Sequence, residues 1–319
     1  MRELMFVACL LIGTVAQAAP PAEKQAPPAE KQQVLWDQLR TTIGEVERRL
    51  DGVLGVAILD LTSGQQLLVR PDEVFPQASS IKITVLAELY RQAEQSARGA
   101  SGNVALTDQY VVRTEDLVAE SDIMGGLTPG TTLLTLKDLA TMMVAVSDNS
   151  ATNVLIDRLG MARIEAFLDR EGLRQTHLRR KMMDLHAAAE GRENVSTPRE
   201  MMTLLERLYR GRILSEPWRE GFFQMLSTHK TGYLTHDLPD DVRVANKPGW
   251  LEGVRSDSGV VFLEHRPYVI CVMTTYLANE RRGEEAIASI SAAAYQMFDR
   301  LARASEYGRV ISPSNSGPH

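Results

Sequence analysis

The chain has 319 residues, of which 44% are hydrophobic and 24% are charged, and this composition is typical of a globular protein. Disorder, collagen and coiled coil are excluded as descriptions of the whole chain. The formal net charge of -6 disfavours a nucleic-acid partner, because nucleic-acid-binding proteins present a basic face. At roughly 100 to 200 residues per domain, the length accommodates one large domain or two smaller ones with a sizeable core.

The first 18 residues have the pattern of a secretory signal. Arg2 precedes the apolar run from Leu4 to Val15, and Ala16-Gln17-Ala18 is a small-residue cleavage site. The apolar run has about a dozen residues, fewer than the ~20 that a spanning helix needs, and no later run is longer. We therefore expect cleavage near Ala18 and a secreted or periplasmic mature protein without a transmembrane segment.

A seven-residue proline-rich unit follows at 19–25 and is repeated at 26–32. Two copies of a polar, proline-rich unit cannot bury a core, so they predict an extended tether over 19–32. We expect one folded domain over 33–306 and a polar tail over 307–319.

Hydrophobic periodicity predicts the elements of the folded domain in chain order. They are a helix at 34–50; strands at 54–61 and 66–69; helices at 79–95, 136–146, 150–159, 164–170 and 198–209; strands at 242–245, 259–263 and 268–275; and a helix at 284–304.

Strands on both sides of a helical block predict an α/β fold of the α+β sandwich type. Both chain ends, 33–72 and 240–306, would form one antiparallel sheet that the terminal helices cover. An all-α lobe over 73–239 would be inserted between them, and we expect a site in the crevice between the two parts.

Ser79 and Lys82 are the first residues that suggest chemistry. They lie three positions apart where a predicted helix begins, so the lysine amine can reach the serine hydroxyl on one helix face. A hydroxyl near an amine and a helix amino end is the arrangement that an activated serine needs. The spacing alone is weak evidence, because the Ser-x-x-Lys pattern recurs at Ser227 to Lys230.

Two further motifs follow Ser79 in a fixed order. Ser147-Asp148-Asn149 lies 68 residues later at a helix end, and Lys247-Pro248-Gly249 lies 100 residues further on in a strand-like stretch. With these motifs the chain resembles the serine β-lactamases of class A and their penicillin-binding relatives, whose signature is S-x-x-K, S-D-N and K-T-G. The similarity spans roughly residues 34–301.

The resemblance implies three catalytic residues. Ser79 would be the nucleophile, Lys82 its proton acceptor, and Ser147 the group that passes a proton to the leaving nitrogen. A strained cyclic amide needs this combination of an activated hydroxyl and a proton path to nitrogen.

The resemblance also implies a set of substrate-binding residues. An amide would hold the substrate's amide side chain, two cations would attract its carboxylate, and the backbone N–H groups of positions 79 and 250 would form the oxyanion hole. These residues are Asn149, Lys247, Gly249, Trp250 and Arg255.

A second string, Lys230-Thr231-Gly232, spells the strand motif more closely than Lys247-Pro248-Gly249 does. However, Lys230 follows a helical stripe and precedes a polar, turn-like segment at 234–241. We therefore take Lys247 as the lysine of the strand motif and expect Lys230 to be an ordinary solvated lysine.

The chain departs from the family at Pro248. Proline lacks the threonine hydroxyl that would contact the substrate carboxylate, a loss of roughly 1 kcal/mol. It also lacks a backbone N–H, which a sheet tolerates mainly at an edge strand, so we expect Pro248 to lie on an edge strand beside the cleft.

A larger departure lies in the loop before Thr197-Pro198. Class A enzymes carry there a glutamate that activates the deacylating water, and alignment on Thr197-Pro198 puts Met182 in its place. Methionine cannot accept a proton, so we expect a long-lived acyl-enzyme unless another group substitutes. Asp184 and His186 are the candidate substitutes; an imidazole can act as a base, but His186 could equally serve only to pack the loop.

Three functions remain open. The resemblance favours a serine β-lactamase that opens the ring through an acyl-Ser79 intermediate. The alternatives are a peptidoglycan-directed, DD-peptidase-like or other acyl-serine hydrolase that β-lactams inhibit, and a non-catalytic penicillin-binding or sensory module.

The expected partner is a small-molecule β-lactam or a peptidoglycan peptide, and we expect a monomer. No cofactor is expected, and no metal, because no two histidines have zinc-ligand spacing on a convincing helix. Substrate preference depends on loops such as 114–130, whose conformation one sequence does not fix.

Overall fold

A computed structural model describes residues 29–305 and 307–310. The predicted signal, most of the tether and most of the tail lie outside these residues. The first helix, α1 (Ala29–Arg49), begins inside the segment predicted as tether, because Ala29 to Gln32 are good helix formers without apolar periodicity. In the described part of the chain, no helix is both long and apolar enough to cross a membrane.

One antiparallel sheet of five strands contains both ends of the folded domain, in the order β2-β1-β9-β8-β7. Its first and last segments pair directly, with Ala57 of β1 opposite Cys271 of β9. The predicted fold class is confirmed. The strands are β1 (Val53–Asp60), β2 (Gln66–Val69), β7 (Val244–Leu251), β8 (Val254–Val261) and β9 (Tyr268–Thr275).

Both faces of this sheet are buried, so alternate residues of one strand belong to different cores. Ala57 of β1 packs towards the helical lobe, whereas Val56 and Ile58 pack against the terminal helices. On the terminal-helix side, Phe298 stacks on Tyr268 with ring centroids 4.1 Å apart. This double burial explains why β1 and β9 are nearly continuous apolar runs.

The terminal helices and the inserted lobe follow the predicted order. The last helix, α9 (Glu280–Arg303), lies beside α1 on one face of the sheet. The lobe on the other face contains α2 (Lys82–Ala97), α3 (Leu136–Ala145), α4 (Asn149–Leu159), α5 (Met161–Arg170), α6 (Leu185–Ala189), α7 (Pro198–Tyr209) and α8 (Trp218–Leu226).

The expectation of an all-α lobe is wrong in detail. Two small antiparallel pairs lie within it, β3 (Phe75–Pro76) with β6 (Val195–Ser196), and β4 (Gln109–Val111) with β5 (Leu133–Thr135). Strands of two or three residues are too short to show a period of two, so the sequence pattern does not reveal them.

The strands next to the crevice extend further than predicted. β7 continues to Leu251 and β8 starts at Val254. The added segments contain several polar residues, most of them buried, so they show no apolar pattern from which the sequence could predict a strand. β7 is the edge strand of the sheet, which is where Pro248 was expected to lie.

Candidate active site

Ser79 lies in one turn of 3-10 helix, Ala78–Ile81, that leads directly into α2. The preceding residue, Ala78, has a φ of +48°, in the left-handed region that costs a non-glycine residue about 1–3 kcal/mol. Ser79 is half-buried and lines a cleft of about 520 Å³ between the sheet and the lobe. The turn therefore presents the serine hydroxyl to an open cleft.

Two hydrogen bonds fasten this turn to the edge of the sheet. Ser80 Oγ donates to the backbone oxygen of Lys247 at 2.8 Å, and Ser256 Oγ donates to that of Gln77 at 3.0 Å. Both serines are buried, and their hydroxyl oxygens also lie 2.9 Å from each other, so the turn and the sheet share one buried hydrogen-bond network. The position of Ser79 relative to β7 and β8 is thereby fixed.

Lys82 is buried one turn after Ser79. Its Nζ donates to the backbone oxygen of Ser147 at 2.6 Å, to Ser147 Oγ at 3.0 Å and to Asn149 Oδ1 at 2.8 Å. Burial, and after it the charge of Lys247, lowers the pKa of Lys82 well below its ordinary value. Lys82 therefore loses its proton more readily than a solvated lysine, and the neutral amine is the form that can accept a proton.

Ser147 connects this amine to the predicted nucleophile. Its Oγ donates to Ser79 Oγ at 2.8 Å and accepts from the Nζ atoms of Lys82 and Lys247 at 3.0 and 3.1 Å. The sequence suggested a direct contact between Lys82 and Ser79, whereas these hydrogen bonds connect the two residues through Ser147.

Lys247 reaches Ser147 from the edge strand. Its Nζ also donates to the backbone oxygen of Pro248 at 3.0 Å. Burial, and after it the charge of Lys230, lowers the pKa of Lys247 to about 7. Ser147 thus lies between two buried lysines, both of which lose their proton more readily than a solvated lysine.

Gly249 allows β7 to run against the serine turn. A Cβ at position 249 would lie 2.6 Å from the backbone oxygen of Gln77 and 2.8 Å from the backbone nitrogen of Ser79. The next residue, Trp250, is 43% exposed and lines the cleft. Only glycine permits this approach of β7 to the backbone N–H of Ser79.

Arg255 lines the cleft from β8, but its charge is already compensated. Its Nε lies 2.8 Å from a carboxylate oxygen of Glu284, and its Nη1 donates to the backbone oxygen of Leu251 at 3.0 Å. Lys247 is therefore the cation nearest to Ser147 on the sheet side, and Arg255 lies at the cleft wall.

The prediction that Lys230 is solvated is wrong. Lys230 is half-buried, and its Nζ donates to the backbone oxygens of Leu226 and Thr228 at 2.8 and 2.7 Å. Burial lowers its pKa to about 8. It lines a different cavity from Ser79, whereas Lys247 contacts Ser147 directly.

Met182, which replaces the expected glutamate, lines the cleft. Asn153 holds its backbone on both sides: Asn153 Oδ1 accepts from the Met182 N–H at 2.8 Å, and Asn153 Nδ2 donates to the Met182 oxygen at 3.0 Å. The loop therefore places the Met182 side chain in the cleft, where its thioether cannot act as a general base.

Asp184 and His186 do not reach the cleft. The Asp184 carboxylate is the N-cap of α6, where it accepts the N–H of Ala187 at 2.9 Å. The His186 side chain is 82% exposed and lies 3.7 Å from Glu190. Because neither residue lines the cleft that contains Ser79, the expectation that either one replaces the glutamate finds no geometric support.

Sequence reasoning missed four carboxylates in the cleft wall. Two lie in the loop 114–130, and two lie near the hairpin that joins β7 to β8. No motif marks them, and their convergence depends on loop conformation. They are Glu120, Asp122, Glu252 and Glu280.

Backbone strain is concentrated at this cleft. Of the seven non-glycine residues with positive φ in the described ranges, four line it. Such strain persists only where the surrounding contacts determine the conformation, which is typical of functional sites. The four residues are Ala78, Glu120, Ser147 and Met183.

A buried lysine connected by hydrogen bonds to a cleft serine, in this fold, defines an acyl-serine hydrolase site. The chain belongs to the family described as the beta-lactamase enzyme family, whose model matches residues 37–298.

Individual relatives agree with the family model over most of the chain. β-Lactamase OXY-2 of Klebsiella oxytoca is 28% identical over 268 residues, which cover 81% of this chain and 89% of OXY-2. A β-lactamase from Sphaerobacter thermophilus matches with a TM-score of 0.74 and 29% identity, covering 82% of this chain and 97% of that one. A mutant of PBP-A, solved as an acyl-enzyme complex with penicillin G, matches with a TM-score of 0.74 and 28% identity, covering 84% and 98%.

Gly249→Ala is expected to lower the rate constant for acylation by benzylpenicillin by about 100-fold or more. The added Cβ must push β7 away from Ser79, and a misplacement of roughly 1 Å at a reacting group can cost that much. Stopped-flow absorbance or quenched intact-protein mass spectrometry measures the rate constant.

Gly44→Ala is the matched control, because nothing lies within 4 Å of a Cβ at position 44. It should leave acylation unchanged and stabilise α1 by about 0.5–1 kcal/mol. If benzylpenicillin acylated Gly249→Ala and Gly44→Ala at equal rates, acylation would not depend on the close approach of β7 to Ser79.

Proposed function

We propose that the protein opens the ring of β-lactams by attack of Ser79 on the ring carbonyl, which forms an acyl-enzyme. The hydrogen-bond chain from Lys82 through Ser147 to Ser79 carries this proposal. Membership of the β-lactamase enzyme family and the named β-lactamases among its relatives support hydrolysis of the β-lactam amide bond. They do not favour the two alternative functions considered from the sequence.

Proton transfer to Lys82 would activate the nucleophile. A neutral amine keeps two N–H groups, which can donate to the Ser147 backbone oxygen and to Asn149 Oδ1. Its lone pair then faces Ser147 Oγ. Before attack the two hydroxyls would rotate out of the resting arrangement, in which Ser147 donates to Ser79, so that Ser79 donates to Ser147 and Ser147 donates to Lys82. As Ser79 Oγ attacks, its proton passes to Ser147 Oγ while the Ser147 proton passes to Lys82.

The reverse transfer would release the ring nitrogen. When the C–N bond breaks, Ser147 Oγ donates its proton to the departing nitrogen and receives one from Lys82, so both residues return to their starting forms. The backbone N–H groups of Ser79 and Trp250 would stabilise the oxyanion of the tetrahedral intermediate. The proton given up by Ser79 thus ends on nitrogen.

The polar groups around Ser147 would orient the substrate. Lys247 would bind the substrate carboxylate, because its Nζ lies 3.1 Å from Ser147 Oγ and therefore close to the departing nitrogen. Arg255 would add a weaker attraction, since Glu284 already compensates its charge. Asn149 would donate its amide N–H to the substrate's amide carbonyl.

Deacylation would be the slow half of the reaction. In the described part of the chain, the loop 179–196 supplies Met182, Met183 and Leu185, Arg180 and Asn194 to the cleft, and none of these side chains is a general base at neutral pH. A missing general base costs about 10² to 10⁴ in rate.

We also propose that residues 1–18 direct export and that the mature chain acts as a monomer against β-lactams outside the cytoplasm. The amino-terminal sequence pattern supports export.

Ser147→Ala is expected to lower acylation by benzylpenicillin by about 10² to 10⁴, because the proton path between Ser79 and Lys82 is removed. Ser79→Ala should abolish acylation. Both are measured by covalent labelling with a fluorescent penicillin. Ser289→Ala, on the exposed face of α9, is the control and should react like the unaltered chain. Normal labelling of Ser147→Ala would contradict the relay.

The value of kcat/KM for benzylpenicillin should fall as the pH rises through about 7. Lys247 has a lowered pKa of about 7, so the free enzyme loses the positive charge that would bind the carboxylate. In Lys247→Arg the alkaline limb should move to higher pH, since guanidinium stays charged. An unchanged limb in that variant would assign the titration to another group.

Met182→Glu is expected to speed deacylation by about 10² to 10⁴. Asn153 binds the backbone of residue 182, and the new carboxylate would lie in the cleft where the Met182 side chain now lies. The decay of the acyl-enzyme is followed by intact-protein mass spectrometry. Met182→Gln, of similar size but without a base, should stay slow. Fast decay of the unaltered enzyme would show that another group activates water.

A further inference from the structure

The charges that line the cleft wall are unequally compensated. Its two arginines both have acidic partners outside the wall: Arg180 pairs with Glu193 at 2.7 Å and Arg255 with Glu284 at 2.8 Å. Among the described residues, no Lys, Arg or His nitrogen lies within 4 Å of the carboxylates of the four acidic wall residues named above. The wall therefore carries excess negative charge.

Glu120 is the acidic residue closest to the predicted substrate amide. Its backbone oxygen accepts the N–H of Asn149 at 3.3 Å, and its Oε2 lies 3.5 Å from Asn149 Nδ2. The left-handed φ of Glu120, +54°, holds the residue at this point of the loop. The carboxylate is thus adjacent to the donor that would bind the substrate's amide carbonyl.

The position of a substituent on the substrate follows from this contact. The carbon atom next to an amide carbonyl is one bond away from the carbonyl carbon. If Asn149 Nδ2 donates to that carbonyl, a group on the adjacent carbon lies within a few ångströms of Glu120. At such distances an ammonium group is attracted by the carboxylate and a second carboxylate is repelled.

We propose that Glu120 makes the cleft select β-lactams whose acyl side chain carries an ammonium group beside the amide. This inference rests on the proposed function. It assigns the substrate class of the same site and makes Glu120 a specificity-determining residue.

Three penicillins test the proposal, because they share a phenylacetyl side chain and differ in one substituent. Ampicillin carries an ammonium group on the carbon beside the amide, benzylpenicillin carries hydrogen and carbenicillin carries a carboxylate. The acylation rate constant for each is measured by quenched intact-protein mass spectrometry at pH 6.5, where an α-amino group is largely charged.

The expected order of rates is ampicillin, then benzylpenicillin, then carbenicillin. In Glu120→Gln the ratio of ampicillin to carbenicillin should fall by roughly fivefold, as for an ion pair partly open to solvent. In Glu264→Gln, which removes one charge from an 88% exposed side chain in the turn between β8 and β9, the ratio should not change. Higher salt should reduce the preference more in the unaltered enzyme than in Glu120→Gln, where the three other wall carboxylates remain.

The proposal is overturned if the unaltered enzyme shows no preference for ampicillin, or if Glu120→Gln keeps the same ratio. An equal fall of the ampicillin to carbenicillin ratio in Glu264→Gln would also overturn it, because the effect would then come from the net charge of the protein and not from Glu120. Acylation by none of the three penicillins would instead overturn the proposed function itself, so the two failures are distinguishable.

Discussion

The burial of the Lys82 amine is the constraint on which the rest of the site depends. An amine removed from water must be surrounded by acceptors or lose its proton, and here both apply. Three oxygen atoms of Ser147 and Asn149 surround Nζ, and burial shifts its titration towards the neutral form. Both acceptor residues come from the junction between α3 and α4, so this junction must lie against the serine turn.

The conformation of that junction is unfavourable by itself. Ser147 has a φ of +59°, which Asp148 helps to maintain by accepting N–H bonds from Ala151 at 2.9 Å and Met124 at 2.8 Å. The strain of about 1–3 kcal/mol is offset by these contacts and by the bonds to Lys82. The result is a Ser147 hydroxyl held between Lys82, Lys247 and Ser79.

The sheet supplies the second half of the site. β7 and β8 are held to the serine turn by Ser80 and Ser256, and Gly249 allows the backbones to touch. Lys247 and Trp250 are thereby placed across the cleft from the loop that contains Glu120. The arrangement of Ser79, Lys82, Ser147 and Lys247 thus depends on the packing of the lobe against the edge strand β7, most of whose residues are buried.

The sequence was sufficient to predict the elements whose residues act locally. The apolar runs of β1, β2 and β9, the helix Pro198–Tyr209 and the order of the three motifs are visible in the sequence because period and spacing encode them. The polar parts of β7 and β8 were missed because their burial comes from the site and not from the sheet core.

Contacts between distant segments could not be predicted in the same way. Ser147 lies between Lys82 and Ser79 only because of a left-handed residue, and Lys230 is half-buried because its amine folds back onto the end of α8. The direction of α6 removes Asp184 and His186 from the cleft, and the loop 114–130 brings Glu120 into it. These placements depend on tertiary packing, which the hydrophobic periodicity of a sequence does not predict.

We propose that Ser79 is acylated efficiently through Ser147 and Lys82, and that deacylation is slow because the loop 179–196 supplies no general base to the cleft. The most direct measurement is quenched-flow intact-protein mass spectrometry with benzylpenicillin, followed by peptide mapping of the adduct. We expect one adduct on Ser79 that forms within seconds and persists for minutes to hours. Attachment at another residue, or return to the free mass as fast as the adduct forms, would contradict it.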